Sequence, residues 1–553
     1  MIIGITQSML LKEIKKIYYT VKPLRFEQIW FRLFYSVKKP NVQQVSNDGL
    51  ESFSWGWSGP TIFQQSLFDK NNVIYLSLEG RVVNPSSWND PTKSKLWLYN
   101  LHYFDDLSSI TYQEREKQHY GFINRWIEEN PPCLGNGWEP YPLSLRLVNW
   151  VKWFSKKETV EQKHLISIAQ QASGLSQQLE YHILGNHLFA NAKALTFVGV
   201  FLKGKDANNF LNLGLKLLDR EIKEQFLADG AHFELSPMYH EILLWDLLEL
   251  IDLAKTSQNS QLLERLDSWE LVAVKALQWL GSMVHPDGEV SFFNDAAIGI
   301  AASPAEIFNY ANKLGIKYKI SLNLLTTNHG SGYSRVQNEN YTLLFDHANV
   351  GPDYLPGHAH ADSLSFELSV GLQRVFVNSG TSLYGVSKER LRQRETAAHN
   401  TVVVNGQSSS EVWSGFRVAR RAYTKLLKAE ENSNNVILSA SHNGYERLKP
   451  KVTHTRTINA STDSFIITDE LTIKTEAEFN LHVHPDVEVK QLDETSLELK
   501  LVNKTKLILT SSQTCLIRQS TWHPEFGKSI PNYKIIIPFA NGKLTTEIKI
   551  TKE

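Results

Sequence analysis

The sequence predicts an α+β protein with more than one domain, in which a helical part precedes an antiparallel β-sandwich. The 553 residues are more than a single hydrophobic core usually holds. From about residue 110 to 315 the apolar residues recur with a helical period, and after residues 328–336 the period changes to two. Short β-branched segments that follow one another without intervening helices are typical of an antiparallel sandwich.

The N-terminal 40 residues are predicted to form two amphipathic helices rich in aromatic and basic residues. We expect them to pack onto the body of the protein, with contact with a membrane surface as the alternative. The first apolar run is short, the lysines follow it, and no small-residue cleavage site closes it, so a signal peptide is not indicated. No apolar run free of charges reaches membrane-spanning length. The expected location is therefore cytoplasmic, with the periplasm as the alternative.

Segments with helical periodicity follow, each about four turns long and closed by Gly, Asn, Asp or a charged loop. They are "KHLISIAQQASGLSQQLEYHIL", "HLFANAKALTFVGVFL", "FLNLGLKLLDREIKEQFL", "MYHEILLWDLLELIDLAK" and "WELVAVKALQWLGSMV". Short loops between them favour antiparallel helical hairpins, which can close into an α/α toroid. The spacing of apolar residues indicates the helices, but it does not show whether they close into a toroid.

Runs with a period of two predict the strands of the second part, because Gly, Asn, Asp or Pro separates one from the next. They include "YTLLFDHA", "NTVVVNG", "NVILSASHNG", "THTRTINA", "SFIITDELTI", "FNLHVHP", "SLELKLVN", "KLILTSS" and "YKIIIPFA". We place the boundary between the two parts near residues 316–330.

Composition excludes several classes of protein. Apolar residues make up 42% of the chain and charged residues 21%, which is typical of a globular protein rather than a disordered one. The 58 basic and 58 acidic residues balance, so no overall field attracts nucleic acid. Cys133 and Cys515 provide neither a disulfide framework nor a metal-binding spacing.

The stretch "GHAHAD" at residues 357–362 is the densest polar motif. In an extended strand alternate side chains share a face, so His358, His360 and Asp362 would project together while the alanines point away. Such a cluster is either a binding site or a polar strand edge.

Two further motifs open helices. Asn186 and His187 begin the segment "NHLFANAKAL", where the asparagine could also serve only as a helix cap. Ser236 and Pro237 predict a helix start that puts Tyr239 in the first turn, where packing is the ordinary role of a tyrosine.

Basic and aromatic residues suggest contacts with a glycan. Arg390, Arg392 and Arg394 would share one face of an extended segment, where guanidinium groups suit carboxylate or sulfate, although a solvated face is the simpler interpretation. Trp138 and Tyr141 are aromatic residues of a kind that lines sugar grooves, and core packing is the alternative for each.

Five motifs in this order, "NHLFANAKAL", "DGAHFELSPMYH", "GHAHADSLSFEL", "VNSGTSLYG" and "AAHNTVVVNG", resemble the heparinase II/III family of polysaccharide lyases. The resemblance covers roughly residues 95–425. It implies an α/α toroid, which we place at residues 95–325, followed by an antiparallel β-sandwich at residues 330–553. Residues 1–94 are predicted to form an N-terminal helical arm and lead-in. It also implies cleavage of a uronic-acid-containing polysaccharide by β-elimination.

β-Elimination explains the residue types of these motifs. The uronate carboxylate must be neutralised before the C5 proton is acidic enough to leave, and by resemblance Asn186 does this with His187 beside it. Tyr239 and His358 share the acid and base roles, Tyr239 preferably at the leaving group, and the sequence leaves open which of them is the base. The predicted substrate-binding residues are Trp138, Tyr141, Tyr384, Arg390 and Arg394.

The resemblance also suggests one structural divalent metal, with zinc favoured, at His360, Asn378 and His399. Asn378 stands where the family pattern has an aspartate, and zinc prefers nitrogen, sulfur and carboxylate ligands, so occupancy stays open. We expect His358 to face the cleft, His360 to turn toward the other two ligands, and Asp362 to fix a histidine tautomer.

The expected partner is an anionic polysaccharide or oligosaccharide, and the sequence leaves the oligomeric state open. Two other functions compete with a lyase. A non-catalytic or surface-glycan-processing protein would keep the aromatic and basic residues without needing Tyr239 and His358 together. A toroid glycoside hydrolase would need two carboxylates beside a groove, whereas the motifs centre on Asn, His and Tyr.

Overall fold

The computed structural model describes residues 7–42, 50–432 and 435–551. Residues 1–6, which belong to the stretch tested for a signal peptide, lie outside the described residues. A mainly helical part extends to Lys313, and a part built mainly of antiparallel strands begins at Leu325.

The helices of the first part are Gln7–Val21 (α1), Phe26–Val37 (α2), Lys95–Tyr103 (α3), Glu116–Glu129 (α4), Pro140–Phe154 (α5), Gln162–Ser176 (α6), Gly185–Phe201 (α7), Lys205–Gln225 (α8), Pro237–Ser257 (α9), Ser260–Leu263 (α10), Leu266–Met283 (α11) and Pro304–Lys313 (α12). A small hairpin, Asn72–Tyr75 (β1) with Leu78–Arg81 (β2), precedes α3.

Local chemistry determines where these helices begin. The Ser236 hydroxyl accepts a hydrogen bond from the Tyr239 amide at 3.2 Å, and Pro237 occupies the first position of α9. The predicted segment before α7 is helical only as far as Ser176, because the chain then turns through residues 177–184.

Apolar side chains of α3 to α12 form one continuous core, which holds α7 and α9 in place.

The strands of the second part are Leu325–Asn328 (β3), Tyr333–Gln337 (β4), Tyr341–Asp346 (β5), Phe366–Val370 (β6), Gln373–Phe376 (β7), Val402–Val404 (β8), Val412–Trp413 (β9), Arg417–Val418 (β10), Thr424–Glu431 (β11), Val436–His442 (β12), His454–Ala460 (β13), Ser464–Leu471 (β14), Ala477–His482 (β15), Glu488–Gln491 (β16), Ser496–Lys500 (β17), Lys506–Ser511 (β18), Leu516–Trp522 (β19), Ile530–Phe539 (β20) and Lys543–Thr551 (β21). One helix, Lys388–Arg394 (α13), lies among them.

These strands form three larger sheets and one small hairpin. The strand orders are β3-β4-β5-β6-β7, β11-β12-β13-β14-β21-β18-β17-β16, β19-β20-β15-β8 and β10-β9. Neighbouring strands within each sheet run antiparallel, as predicted. Leu343, Leu438 and Phe479, one from each larger sheet, belong to a single hydrophobic core.

The two N-terminal helices pack on both parts of the molecule. The Phe31 ring stacks on Tyr181 with centroids 4.5 Å apart, and the Gln28 side chain donates to the Tyr354 carbonyl at 3.1 Å. The Trp413 indole donates to the Thr20 hydroxyl at 3.0 Å. Among the residues that the structure describes, no helix is long and apolar enough to cross a membrane.

Candidate active site

A buried carboxylate organises the junction between the two parts. Asp295, in the loop between α11 and α12, accepts hydrogen bonds from His358 Nδ1 at 2.9 Å and His360 Nε2 at 2.8 Å. Both guanidinium NH₂ groups of Arg390 donate to the same carboxylate, one of them at 2.7 Å. The loop from the helical part therefore holds three residues of the strand part.

These contacts decide the charge of Asp295 and the tautomer of His358. Burial by itself would raise the pKa of Asp295, but Arg390 and the two histidines outweigh it and hold that pKa well below its usual range. An ionised carboxylate only accepts hydrogen bonds, so the proton of neutral His358 sits on Nδ1. Nε2, which lies 3.7 Å from Glu234, keeps its lone pair.

Tyr239 reaches this junction from the first turn of α9. Its ring stacks on His358 with centroids 3.8 Å apart and planes 28° apart, and its hydroxyl is 3.0 Å from that of Tyr384. Burial, reinforced by Tyr384, raises the pKa of Tyr239 well above its ordinary value. The phenol is therefore protonated at neutral pH and able to donate.

Asn186 lies in the first turn of α7. Its backbone N–H donates to Glu234 Oε1 at 3.4 Å, which places it near the carboxylate that faces His358. The side-chain amide of Asn186 has no hydrogen bond to any residue within the described ranges. Burial raises the pKa of Glu234, so its neutral form persists to higher pH than that of an exposed glutamate.

His187 is held beside Asn186 by an acid and an aromatic ring. Its Nδ1 lies 2.8 Å from Glu180 Oε1, and its ring lies against Tyr141 with centroids 4.4 Å apart. Burial favours the neutral imidazole, but Glu180 outweighs it and raises the pKa of His187. His187 therefore carries positive charge more readily than an isolated histidine.

A cavity of about 420 Å³ opens beside the tyrosines. Tyr141, Tyr239 and Tyr384 line it on the side of the site. Its lining also includes a set of paired charges in the helical part, namely Lys152, Lys193, Asp246 and Glu249. Its volume is within the range of small-ligand sites.

Three predicted substrate contacts are wrong. Trp138 lies in the helical core, where its indole donates to the Asn130 carbonyl at 3.2 Å. Arg390 and Arg394 belong to α13 rather than to an extended segment, and both side chains are fully buried. Arg390 binds Asp295, and Arg394 donates to the Ala359 carbonyl at 2.9 Å, so both support the loop that carries the histidines.

The predicted strand through "GHAHAD" is also wrong. The strand begins at Phe366, and residues 357–362 form a loop. Asp362 accepts a hydrogen bond from the Asn294 backbone at 2.9 Å, so the acid that fixes the histidine tautomers is Asp295. Sequence reasoning did not find Asp295 for this role, since nothing in "FFNDAAIG" marks it out.

The predicted metal ligands lie near one another. The His360 and His399 rings are 5.2 Å apart, and the Asn378 side-chain oxygen accepts the Asn400 amide at 3.2 Å. His360 Nδ1 and both ring nitrogens of His399 are buried without a well-formed hydrogen bond to described residues. Burial lowers the pKa of His360 to about 4, so the ring is neutral, as metal ligation requires. Among the described residues, no group of three or more His, Cys, Asp or Glu is arranged so that it could hold a metal ion. An ion at His360, Asn378 and His399 would therefore have only neutral ligands.

Comparisons with curated proteins find heparin-sulfate lyases. A heparin-sulfate lyase of Bacteroides thetaiotaomicron is 25% identical over 407 residues, 64% of this chain and 55% of that protein. The corresponding enzyme of Bacteroides stercoris is 25% identical over 324 residues, 55% of this chain and 46% of that protein. The matches thus span about half the length of these curated relatives.

Solved structures share the fold. A crystal structure of heparinase III matches with a TM-score of 0.72 at 18% identity, over 100% of this chain and 92% of the other. Heparan sulfate lyase HepC from Pedobacter heparinus matches with a TM-score of 0.59 at 17% identity, over 100% and 92%.

Two family descriptions together cover most of the chain. Residues 65–314 match the heparinase II/III N-terminus, and residues 325–551 match the heparinase II/III-like C-terminal region. Since each part of the molecule matches its own half of the family, in the family's order, the chain belongs to the heparinase II/III family.

Proposed function

We propose that the protein is a polysaccharide lyase that cleaves a uronic-acid-containing glycan by β-elimination. The observation that carries this proposal is the stacking of Tyr239 on His358 across the junction, 3.8 Å apart. A proton donor and a proton acceptor are thereby side by side, and Glu234 lies 3.7 Å from His358 Nε2 and accepts from the backbone N–H of Asn186. The curated relatives are heparin-sulfate lyases, which supports the same reaction class.

Asn186 and Glu234 neutralise the uronate carboxylate in this mechanism. The Asn186 amide has two N–H donors and no competing partner among the described residues. Glu234 with its raised pKa donates a further hydrogen bond when it is protonated. Together they stabilise the negative charge that develops on the carboxylate as C5 loses its proton.

His358 acts as the base. Asp295 holds the proton on Nδ1, so the Nε2 lone pair points to the side of Glu234 and the substrate carboxylate. Nε2 takes the C5 proton, and the electrons of the C–H bond form the C4=C5 double bond. The imidazolium that results is stabilised by the Asp295 carboxylate.

Tyr239 acts as the acid. As the C4–O4 bond breaks, its hydroxyl gives a proton to O4, which prevents formation of a free alkoxide. The 3.0 Å contact with Tyr384 orients that hydroxyl and provides a route for its reprotonation. The burial that raises the pKa of Tyr239 keeps the proton in place until the leaving group requires it.

The charges of the cavity suggest how the glycan is selected. Lys193 lies 2.5 Å from Asp246, and Lys152 lies 2.5 Å from Glu249. Because each ammonium already has a carboxylate partner, this part of the cavity suits sugar hydroxyls better than sulfate groups. We therefore propose a uronate polymer or oligosaccharide that carries few sulfates at this subsite.

We also propose the finer architecture that the resemblance and the sequence pattern predict. The helices of residues 95–325 close into an α/α toroid, and the sheets of residues 330–553 pack as a sandwich, after an N-terminal arm of residues 1–94. The core shared by the three larger sheets supports the sandwich. A cytoplasmic location remains a prediction that cell fractionation tests.

A structural divalent metal is a separate proposal, with zinc favoured. His360 Nδ1, a ring nitrogen of His399 and the Asn378 amide oxygen would hold it, and it would stabilise the strand part without entering the reaction. Elemental analysis should find metal in the purified protein, and a chelator should lower its melting temperature. Asn378→Asp restores an anionic ligand and should strengthen metal retention. Protein without metal, unaffected by chelator, contradicts this proposal.

The activity itself is tested on a panel of uronate polysaccharides with high and low sulfation. A lyase produces an unsaturated uronate, which absorbs in the ultraviolet, whereas a hydrolase releases reducing ends without this absorbance. Glycan binding without either product would instead indicate a non-catalytic glycan-binding protein.

A further inference from the structure

The N-terminal helices expose an apolar stripe that their packing does not use. On α1 the stripe consists of Ile14, Ile17, Tyr18 and Val21, and on α2 of Phe26, Ile29, Trp30, Leu33 and Val37. The spacing of three and four residues puts each set on one face of its helix. Phe26 is 77% exposed and Val37 86% exposed, values far from those of core residues. We call these nine side chains the apolar face.

The apolar face is distinct from the face that holds α2 to the protein. Gln28, Phe31 and Tyr35 turn inward, where they contact Tyr354, Tyr181 and His182. The inner contacts already fix the helix, so the outer stripe is not needed for packing within the chain. Contiguous exposed apolar surface of this kind marks a site of interaction.

The charge around the apolar face indicates its partner. Residues 7–39 contain eight Lys and Arg against two Glu, a net charge of +6 in a chain whose total is zero. Lys15, Lys22, Lys38 and Lys39 are exposed. Basic residues beside a stripe that contains tryptophan and tyrosine are characteristic of helices lying in the headgroup region of an anionic bilayer.

We propose that the apolar face docks on the surface of an anionic lipid bilayer, with α1 and α2 lying in the plane of the interface. The lysines attract the negative surface, and the apolar side chains enter the boundary between headgroups and acyl chains. A second copy of the chain is the competing partner, but it would bring two surfaces of the same sign together.

Docking would bring the site described above close to the membrane. The Thr20 hydroxyl of α1 binds Trp413 in the β9–β10 hairpin. Phe416, in the turn of that hairpin, has its ring 6.0 Å from His358 and 5.2 Å from Tyr384. This consequence rests on the proposed function, whereas lipid binding itself does not.

The test uses the whole chain and vesicle flotation. Vesicles of phosphatidylcholine with phosphatidylglycerol should carry the protein, and vesicles of phosphatidylcholine alone should carry much less. High salt should release the protein, because it screens the lysines. Equal binding to both vesicles, or to neither, would overturn the proposal, and lyase activity in solution is measured separately.

Two double variants distinguish vesicle binding through the apolar face from nonspecific adsorption of exposed apolar side chains. Phe26→Gln with Leu33→Gln should lower the bound fraction at least about tenfold, since two apolar side chains no longer leave water. Leu271→Gln with Leu322→Gln alters side chains that are 68% and 85% exposed elsewhere and should bind as the unaltered chain does. Light scattering measures the mass of the protein in solution. The proposal would be refuted if the unaltered protein were a dimer that did not bind vesicles and if Phe26→Gln with Leu33→Gln dissociated that dimer. The apolar face would then be the contact with a second copy of the chain.

Discussion

Asp295 shows how one buried carboxylate defines the chemistry of a site. It holds His358 and His360 through opposite oxygens, and Arg390 keeps it ionised. The two histidines nevertheless differ, because the His358 side chain is 13% exposed and that of His360 only 1%. His358 therefore borders solvent, whereas His360 is enclosed and serves to position its neighbours.

Removing the Tyr239 hydroxyl tests the proposed acid. Tyr239→Phe keeps the ring stacked on His358 but removes the transferable proton, so kcat should fall about a hundredfold or more. Loss of the contact with Tyr384 should cost no more than about 1 kcal/mol of stability. Tyr310→Phe is the matched control, because its hydroxyl binds Asp252 at 2.6 Å in the helical core. The control should lose about 1 kcal/mol of stability and keep its rate. Equal rates for the two variants would remove Tyr239 from the mechanism.

The pH dependence of the rate tests Glu234. Its pKa is raised by burial, so the protonated form persists as pH rises and is lost once pH passes that raised value. The ionised form repels the uronate carboxylate, and the rate should then fall on the alkaline side. Glu234→Gln cannot titrate and should remove this alkaline fall while keeping most of the activity. An unchanged pH profile would show that Glu234 does not contact the carboxylate.

The residues that were predicted from the sequence lie in local motifs, whereas Asp295, which was not predicted, contacts partners far away in the sequence. Asn186, Tyr239 and His358 stand in recognisable motifs, and the structure brings all three to one junction. Asp295 is 63 residues from His358 and 95 from Arg390, and only folding brings these partners together. The residues next to Asp295 in the sequence form no motif that would predict those contacts.

At the level of elements, the start of α7 is where backbone geometry controls the site. Gly185 has φ of +58°, and a Cβ there would lie 2.5 Å from Leu355 and 2.7 Å from Glu234. Gly185→Ala should therefore cost at least about 1 kcal/mol and displace Asn186, which lowers kcat. Denaturant unfolding and initial rates measure both effects.

Gly121→Ala is the control for this change. Gly121 lies within α4, and apart from the helix's own backbone no atom of the described residues lies within 4 Å of a Cβ placed there. Alanine favours a helix interior, so this variant should gain about 0.5–1 kcal/mol and keep its rate. If Gly185→Ala and Gly121→Ala had the same stability and the same rate, the start of α7 would not be what holds Asn186 in place.

Apolar periodicity predicted the helices and strands well. Alternation of polar residues predicted them poorly. The apolar runs of α7, α9, β13 and β14 mark one buried face or a fully buried element, and burial forces the matching structure. The alternating arginines and histidines gave the wrong result, because a polar side chain need not share a face with its neighbour. The arginines form α13 and the histidines lie in a loop.

For the molecule as a whole, buried neutral histidines predict sensitivity to acid. In His102, Nδ1 accepts from the Trp126 indole and Nε2 donates to the Trp88 carbonyl, and in His240 both nitrogens are likewise occupied. Burial lowers both pKa values to about 3.

The unfolded chain takes up these protons near pH 6.5, so stability is present above that pH and lost as pH falls toward the folded pKa. At pH 5 each histidine should cost about 2 kcal/mol relative to neutral pH. Urea unfolding measured from pH 7 to pH 5 tests this, and a constant midpoint would contradict it.

The division of the site between the two parts has a practical consequence. Tyr239 and Asp295 come before residue 314, and His358, Tyr384 and Arg390 come after residue 324. A gene split between these positions yields two fragments, each with half of the acid–base pair. Neither fragment can catalyse the proposed reaction, so product formation after mixing would report their association, as in an enzyme-complementation assay.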